Sequence, residues 1–332
     1  MTDAAVHEEG APPAGHSARR GEGVTIGPPA RPSGMPMTAL TERAVVSAGG
    51  APRVRNTAVR RLLRHHLAVG GLVILVALNL TAFSAPLWLP YERVLVQVRT
   101  DTFAPPAADA WFGRDEYGRD AFARAAYAGQ VSLGVALASA LIATVVGTVL
   151  GALAGYLGGA IDALVDRVIE LFLTLPSLLL LILAAAVARP SVQSITIILS
   201  LFSWPVLARI VRGEFLTAKE RDYVQAAETV GCSWLRIATV HILPNAMAPI
   251  IVTGTLLFAT NLTAEAAISF LGLGIQPPTP SWGNMLSNAQ DYVISSPFLA
   301  IFPGLLILVA VLCINLVGDG LRDALDPRLR GQ

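Results

Sequence analysis

Six long stretches of this sequence contain almost no charged residues, and they limit the possible fold more than any other feature. A helix needs about 20 mostly apolar residues to cross a bilayer, and each stretch is near that length. The stretches are residues 67–90, 131–156, 171–188, 190–208, 247–271 and 298–317. Because backbone polar groups in lipid must be satisfied within the segment, we expect an all-α membrane protein with six transmembrane helices. The third and fourth stretches are almost adjacent, so they should form a tight helical hairpin.

The overall composition agrees with a membrane protein. Of 332 residues, 54% are hydrophobic and only 14% are charged, whereas charged residues make up about 25% of an ordinary soluble domain. The formal net charge is +1, so no overall field favours nucleic acid or an acidic substrate. Cys232 and Cys313 are far apart and have no paired spacing, so we predict neither a disulfide nor a metal site.

The distribution of basic residues predicts how the helices are oriented. If the N-terminus lies inside, the inside segments hold 18 Lys and Arg residues and the outside segments hold 6. The short cytoplasmic loops of membrane proteins carry an excess of these residues. We therefore expect a multi-pass protein with both termini in the cytoplasm.

The chain before the first apolar stretch differs from the rest. Residues 1–60 are rich in Ala, Pro, Gly and Ser without a sustained apolar period, which predicts a disordered cytoplasmic N-terminal tail. The first apolar core begins only at Leu67, so we expect no cleaved signal peptide. We divide the remainder into a first transmembrane helix with an external segment, residues 61–126, and a core with five transmembrane helices, residues 127–332.

A stripe of small residues runs along the second apolar stretch. Its members are four apart: Ser139, Ala143, Gly147, Gly151 and Gly155. This spacing puts them on one helix face, where another helix can approach closely. Small residues are common in membrane helices generally, but so regular a run favours a packing seam.

A polar, amphipathic segment separates the fourth and fifth apolar stretches. Apolar or small residues recur in it at helical spacing, at Tyr223, Ala226, Ala227 and Val230, which predicts a short helix. Gly231 is placed to end that helix as a left-handed C-cap.

A second helix is expected directly after this glycine. Ser233 is placed to cap it, and it would run through Trp234, Ile237 and Ala238, with Pro244 marking another boundary. The helix–turn–helix is either a docking element for a partner or an interfacial helix on the inner leaflet.

The same segment resembles the cytoplasmic signature loop of binding-protein-dependent ABC importer permeases. That signature, the EAA motif, reads E-A-A, three residues, Gly, nine residues and I-x-L-P. Five residues fit its spacing: Ala226, Ala227, Gly231, Leu243 and Pro244. Gln225 replaces the usual Glu and so removes a charge, and His241 replaces the usual Ile.

Three further regions resemble the C-type permease subunit of dipeptide, oligopeptide and nickel importers. They are FGRDEYGRD at residues 112–120, SFLGLG with QPPTPSWGNM at 269–274 and 276–285, and GDGLRD with DPR at 318–323 and 326–328. Arg114 departs from the Thr that is usual in the first region. Together the matches cover roughly residues 60–330.

The resemblance implies a type I ABC importer permease in the bacterial inner membrane. Such a permease moves di- or oligopeptides, or a related solute such as nickel chelates, by alternating access. The implied partners are a homologous second permease, two cytoplasmic ATPases that bind ATP and magnesium, and an extracytoplasmic solute-binding protein. The chain itself is expected to hold no cofactor.

The resemblance also implies roles for particular residues. A cytoplasmic coupling loop, residues 212–245, would contact the ATPases through Tyr223, Gln225, Ala226, Ala227, Glu228, Gly231, Trp234, Leu243 and Pro244. The external segments would receive the binding protein through Gly113, Asp115, Gly118, Arg119, Asp120, Pro278, Trp282 and Asn284.

Glu265 is the only residue within the six apolar stretches that ordinarily carries a charge at neutral pH. A carboxylate in a membrane is costly and is often functional, so Glu265 is a candidate for the solute pathway or its gate. Asn261 lies four residues earlier and could hydrogen-bond it. Alternatively, Glu265 lies near the external end of its helix, where it is wetted or paired between subunits.

The sequence offers no catalytic constellation. An ATP-hydrolysing chain needs G-x-x-x-x-G-K-[ST], and the only lysine, Lys219, lies between Ala218 and Glu220, so we predict no ATPase site in this chain. A membrane-embedded enzyme would need a paired acid and base or a metal cluster, which the sequence lacks. The alternative function is an ion-gradient-driven secondary transporter, for which Glu265 and a few Asn, Ser and Thr residues are the available ion ligands.

Overall fold

The computed structural model describes residues 60–98 and 101–325. The predicted tail, residues 1–60, lies outside the described residues except for Arg60, and so does the matched region 326–328. Among the described residues the chain is helical, with two isolated bridges and no β-strand. The helices are α1 (His66–Trp88), α2 (Glu92–Leu95), α3 (Ala121–Leu157), α4 (Gly159–Thr174), α5 (Ser177–Val187), α6 (Val192–Lys219), α7 (Asp222–Thr229), α8 (Trp234–Arg236), α9 (Leu243–Phe270), α10 (Trp282–Ala289) and α11 (Phe298–Leu325).

Five helical segments are long and apolar enough to cross a membrane. They are α1, α3, α6, the continuous run Trp234–Phe270 and α11. The third predicted span is wrong as a single helix, because the chain there forms α4 and α5, which meet at 90°. The break falls at Leu175 and Pro176, where proline lacks an amide proton and disfavours a helical conformation for the residue before it. A sixth crossing requires this bent pair to count as one span.

The longest helix, α3, has clear signals at both ends. Asp120 is its N-cap and accepts hydrogen bonds from the backbone amides of Phe122 and Ala123 at 2.9 and 3.2 Å. Such a cap satisfies amides that have no partner within the helix. At the other end Gly158 has φ +68°, a conformation that terminates the helix.

The stripe of small residues on α3 forms the predicted packing seam, since all five members are buried. A Cβ atom added at Gly147 would lie 2.8 Å from the carbonyl oxygen of Trp204, and one at Gly155 would lie 2.7 Å from that of Arg212. The two backbones are therefore in contact, with no room for a side chain between them. The expectation from the spacing is confirmed.

The contacts along this seam also fix the relative direction of the two helices. Gly147 meets Trp204, and Gly155 meets Arg212, so both residue numbers rise together and α3 runs parallel to α6. The remaining long helices complete the bundle, with α9 against α3 and α6, and with α11 between α1 and α9. We call the end with residues 89–120 and 271–297 the loop end, and the end with residues 157–174 and 219–242 the α7 end.

Candidate functional site

At the α7 end, α7 packs through one side and exposes the other. Val224 is completely buried in a cluster with Phe215 of α6 and with Ile237 and Ile242, which precede α9. The residues predicted to contact a partner lie mostly on the outer side. Exposed among them are Tyr223, Gln225, Ala226, Glu228, Gly231, Trp234 and Pro244, while Ala227 and Leu243 are half-buried.

Gly231 ends α7 as the sequence predicts. Its φ is +82°, and its amide donates to the carbonyl oxygen of Glu228 at 2.9 Å. The next amide, that of Cys232, donates to Ala227 at 3.1 Å, so the last carbonyls of α7 are satisfied. A Cβ atom at Gly231 would meet nothing within 4 Å, so the backbone conformation rather than space requires glycine here.

The segment after Gly231 is not a separate short helix, so two predictions for it are wrong. Ser233 stands at the N-cap position of α8 without making a capping hydrogen bond. Pro244 marks no break in the helix, because α8 continues through a π-helical stretch, Ile237–Ile242, into α9. Pro244 has no amide to donate to the preceding turn, but it lies where the π-helical stretch gives way to α9, and the run stays helical across it. The polar segment between α6 and α9 is therefore α7 joined by a tight turn to an extension of the fifth predicted span.

Tyr156, near the end of α3, connects this segment to the bundle. Its hydroxyl donates to Glu228 Oε1 at 3.4 Å, and its ring centroid is 6.2 Å from that of Trp234. Its backbone carbonyl oxygen accepts from Lys219 Nζ at 2.8 Å. Sequence reasoning did not single out Tyr156 or assign Lys219 this contact. Tyr156 and Lys219 are close because α3 and α6 pack in parallel and end at the same side of the bundle.

Ion pairs between Arg212 and two aspartates connect α6 to α4 at the same end. Arg212 of α6 donates from Nη2 to Asp162 Oδ2 at 2.9 Å, and its Nη1 lies 3.1 Å from Asp166 Oδ1. Both carboxylates belong to α4, one turn apart. The guanidinium thus holds α4 against the half of α6 that leads to α7.

At the loop end, Asp115 organises a compact charged turn. Its Oδ2 accepts from Arg119 Nε and from Arg124 Nη1, both at 2.7 Å, and its Oδ1 accepts from the amides of Tyr117 and Arg119 at 2.9 Å. Glu116 accepts from Arg119 Nη2 at 3.1 Å. Burial raises the pKa of the Glu116 carboxyl, and the neighbouring charge of Asp115 raises it further.

Most of the residues predicted to contact a binding protein support this end from inside. Trp282 is buried, and its indole nitrogen donates to the carbonyl oxygen of Ala125 at 3.0 Å. Asn284 is buried and donates to the carbonyl oxygens of Ile275 and Thr279 at 3.1 and 2.8 Å. Also buried are Gly113, Asp115, Gly118 and Asp120, while Arg119 is half-buried and Pro278 is exposed.

Besides Pro278, the exposed surface of the loop end includes large side chains that were not among the predicted contact residues. Trp111 is 63% exposed, Tyr117 48% and Ile294 97%. Tyr117 is held in place by the Arg119 guanidinium, whose carbon lies 4.4 Å from the ring centroid. The sequence did point to Tyr117, because this residue lies inside the FGRDEYGRD region. Only the structure shows that it is exposed while Asp115 and Gly118 of the same region are buried.

The two polar residues of α9 that were expected to interact do not bond to each other. Asn261 donates from Nδ2 to Ser139 Oγ at 2.9 Å and accepts from the Ser203 hydroxyl at 2.7 Å, so it joins α9 to α3 and α6. Glu265 accepts from the Ser269 hydroxyl at 2.8 Å. Both side chains are buried within this chain, so Glu265 does not reach its surface in this conformation.

Two protein families match the chain. The family described as binding-protein-dependent transport system inner membrane component matches residues 147–331. The N-terminal transmembrane domain of oligopeptide transport permease C matches residues 56–106.

Individual relatives are similar over most of the chain. A dipeptide transport system permease protein, DppC, of Alkalihalophilus pseudofirmus is 40% identical over 82% of this chain and 90% of that protein. A putative peptide transport system permease protein of Brucella abortus is 40% identical over 88% of this chain and 99% of that protein. A putative peptide permease protein of Brucella ovis is 38% identical over 85% of this chain and 93% of that protein.

Proposed function

The chain belongs to the family of binding-protein-dependent transport system inner membrane components, and from this we propose that it moves peptides through the cytoplasmic membrane as one permease subunit of an ATP-driven importer. The membrane permease role follows from the family and the apolar helices. The peptide substrate rests on the names of the relatives, which are dipeptide and peptide permeases.

The observation that carries the proposal is the mounting of α7. One side of α7 is buried against the ends of α6 and α9, and its outer side is free to contact a partner. Tyr156 links it to α3 as well, through Glu228 and Trp234. A displacement of α7 by a cytoplasmic ATPase would therefore move three long helices together.

ATP would be hydrolysed by partners. Lys219, the only lysine of the sequence, has no phosphate-binding motif around it and is engaged with Tyr156. The proposed complex contains two ATPases that bind ATP and magnesium, a homologous second permease and an extracytoplasmic solute-binding protein. Alternating access requires the ATPases to bind the outward-open and inward-open states with different affinity, since only a differential interaction shifts an equilibrium.

Six crossings with both termini in the cytoplasm form the proposed topology. Because α3 and α6 are parallel and each is long enough to cross, the chain between them has to return through the membrane. Leu181 and Ala185 of α5 pack in one cluster with Ile275 of the loop end, which agrees with such a return through the bent pair. The excess of basic residues in the inside segments supports the orientation.

The extracytoplasmic partner would meet the loop end. Buried residues such as Asp115 and Trp282 would hold the surface in shape, and exposed side chains such as Tyr117 and Pro278 would make the contacts. Aromatic side chains on a rigid support are typical anchors of protein interfaces.

Purification and crosslinking test the assignment. The tagged chain, extracted in mild detergent, should bring down an ATPase and a second permease in near-equal amounts. A cysteine at Glu228, in a Cys232→Ser background, should crosslink to the ATPase, whereas a cysteine at Val187, 84% exposed on α5, should not. Recovery of the chain alone, with no crosslink from position 228, would leave α7 as an interfacial helix.

Energy dependence separates this proposal from an ion-driven transporter. Uptake of a labelled dipeptide should fail when ATP is depleted and should persist when an uncoupler collapses the ion gradient at maintained ATP. The opposite pattern would favour secondary transport. Asn261 and Glu265 give that alternative little support, since both already bond to serines of this chain.

A further inference from the structure

Glu265 lies in an unusual position for a carboxyl group in a membrane protein. Its side chain is 0% exposed, five residues before the end of α9. Its Oε1 accepts from the Ser269 hydroxyl at 2.8 Å, while Oε2 has no direct hydrogen bond. Through Ser269 it is connected to the loop that leads from α9 to α10, because the same hydroxyl bonds the amide of Ile275.

Three serine hydroxyls surround this carboxyl group, and they come from three elements. Ser269 belongs to α9, Ser132 belongs to α3 and Ser281 is the N-cap of α10. Ser269 bonds the carboxyl directly. Ser132 and Ser281 lie close by, because Ser132 accepts the amide of Trp282 and the next residue, Gly283, packs on Ala266 and Ser269. All three serines are buried.

Each of these hydroxyl oxygens also accepts one backbone amide of the loop end. Ser269 Oγ accepts from the amide of Ile275 at 3.2 Å. Ser132 Oγ accepts from that of Trp282 at 3.1 Å, and Ser281 Oγ from that of Asn284 at 3.2 Å. The three amides lie in residues 275–284, so the three serines hold the loop between α9 and α10 and the start of α10.

The chemistry of a hydroxyl group connects these two sets of contacts. A serine hydroxyl has one proton to donate and accepts through its oxygen. Because each oxygen already accepts an amide, each proton remains available for an acceptor, and an ionised carboxylate has acceptor capacity for all three.

We propose that Glu265 is a positioning residue, which holds the loop between α9 and α10 in its binding-competent shape through the hydroxyls of Ser132, Ser269 and Ser281. The loop amides bond the serine oxygens, and Glu265 itself is fully buried. It acts by orienting the serines, and the serines hold the loop. The direct bond from Ser269 supplies part of the hydrogen bonding that a buried carboxylate requires, and Oε2 is the acceptor left for the other two hydroxyls.

Hydrogen exchange of the intact complex in lipid nanodiscs tests the link without reference to transport. In Glu265→Gln one acceptor oxygen becomes an amide donor, so the serine protons lose an acceptor. The amides of Ile275, Trp282 and Asn284 should then exchange about tenfold faster or more, as expected when a buried hydrogen bond is lost. Thr263→Val is the matched control in the same helix, because its hydroxyl bonds only the carbonyl oxygen of Ala259, and it should leave these amides unchanged.

Single-serine variants test the contact of each serine with its loop amide separately. They also keep the proposal testable if Glu265→Gln fails to assemble. Ser281→Ala should raise exchange at Asn284 and leave Ile275 protected, and Ser269→Ala should do the reverse. Unchanged exchange of all three amides in an assembled Glu265→Gln complex would overturn the proposal, as would equal effects of both serine variants on both amides.

A second readout separates positioning from a structural role alone, and it rests on the proposed function. ATP hydrolysis by the reconstituted complex is titrated with the binding protein that co-purifies and with trialanine. Glu265→Gln should raise the half-saturating concentration of binding protein about tenfold and leave the maximal rate within about twofold. A reduced maximal rate at an unchanged half-saturating concentration would place Glu265 in the transport step instead and would overturn the positioning role.

Discussion

Lys219 ties the end of α6 to the end of α3, since its Nζ donates to the backbone carbonyl oxygen of Tyr156 at 2.8 Å. The last carbonyls of a helix have no partner within it, and a cation there also meets the negative end of the helix dipole. Since Tyr156 also contacts Glu228, the lysine fixes the residue to which α7 is attached.

Replacing Lys219 by methionine should weaken this attachment, because methionine keeps the apolar stem and loses the charge. We expect the free energy of unfolding to fall by about 1 kcal/mol, the usual scale of a charge at a helix terminus. Uptake per ATP hydrolysed should fall as well. Thermal unfolding and the ratio of uptake to ATP hydrolysis measure the two effects, and Lys219→Arg should preserve both. An unchanged ratio of uptake to ATP hydrolysis in Lys219→Met would show that this contact is not needed to couple the two.

Changes at the end of α7 should uncouple transport from ATP hydrolysis. Gly231→Val puts a β-branched residue at φ +82°, a conformation that costs an L-residue about 1–2 kcal/mol or more. Ala227→Arg puts a charged side chain on the half-buried side of the same helix. ATP hydrolysis should continue in both variants while uptake falls, with membrane insertion intact.

Asparagine provides the control at position 231, because it tolerates the left-handed region. Gly231→Asn should therefore keep most of the uptake. Normal uptake in both Gly231→Val and Ala227→Arg would refute the docking assignment.

Filling the seam between α3 and α6 should destabilise the bundle. A Cβ atom at Gly151 would lie 2.5 Å from the carbonyl oxygen of Ala208 and 2.9 Å from Val211 Cβ, so Gly151→Ala forces the helices apart. We expect a loss of about 1–3 kcal/mol, typical of overpacking, measured by thermal unfolding.

Gly134 is the matched control for the seam. It lies in the same helix with nothing within 4 Å of an added Cβ. Gly134→Ala should be neutral or stabilise by up to about 1 kcal/mol, since alanine favours helix more than glycine does. Equal effects of the two substitutions on thermal unfolding would mean that the close approach of α3 and α6 does not contribute to stability.

Glu116 should make stability depend on pH in a defined direction. Its pKa in the folded protein is raised above the ordinary value of 4.5, so the folded state takes up a proton before the unfolded state as pH falls. Above its raised pKa, the charged Glu116 carboxylate therefore lowers the free energy of unfolding by the full cost of its burial. This cost disappears as the pH falls through the raised pKa towards 4.5, because the carboxyl group is then protonated in the folded protein.

The variant Glu116→Gln removes that cost and can still accept from Arg119. Its unfolding temperature should exceed that of the parent at pH 8, and the difference should shrink as the pH is lowered towards 5. A difference that grows on acidification would contradict the assigned direction.

Tyr117 should contribute to binding of the extracytoplasmic partner. Tyr117→Ala removes an exposed aromatic ring that Arg119 orients, and its loss should weaken binding about fivefold or more, the scale of a moderate interface anchor. Tyr117→Phe, which keeps the ring, should retain most of the affinity. Binding of the purified partner to the reconstituted complex measures both, and equal affinities of the parent and Tyr117→Ala would remove the residue from the interface.

Local sequence patterns predicted the elements well, and they left open whether a motif residue contacts a partner or supports the surface that does. Hydropathy identified the long helices, and Gly231 marked a turn that does have a positive φ. Residues of the FGRDEYGRD region were recognised as important, yet Asp115 is buried and binds Arg119 and Arg124 of the same chain. A motif reports that a residue matters, whereas burial in the folded chain shows whether it contacts a partner or supports one.

The sequence by itself determined the helical membrane architecture, the close-packing stripe on α3 and the place of the polar segment between α6 and α9. These depend on hydropathy and on residue spacings within one helix, which act over a few residues. Only the tertiary structure decided that α3 and α6 are parallel, that the helix continues through Pro244, and that Asn261 bonds Ser139 rather than Glu265. Those outcomes depend on which distant segments meet when the helices pack, and no local periodicity records such contacts.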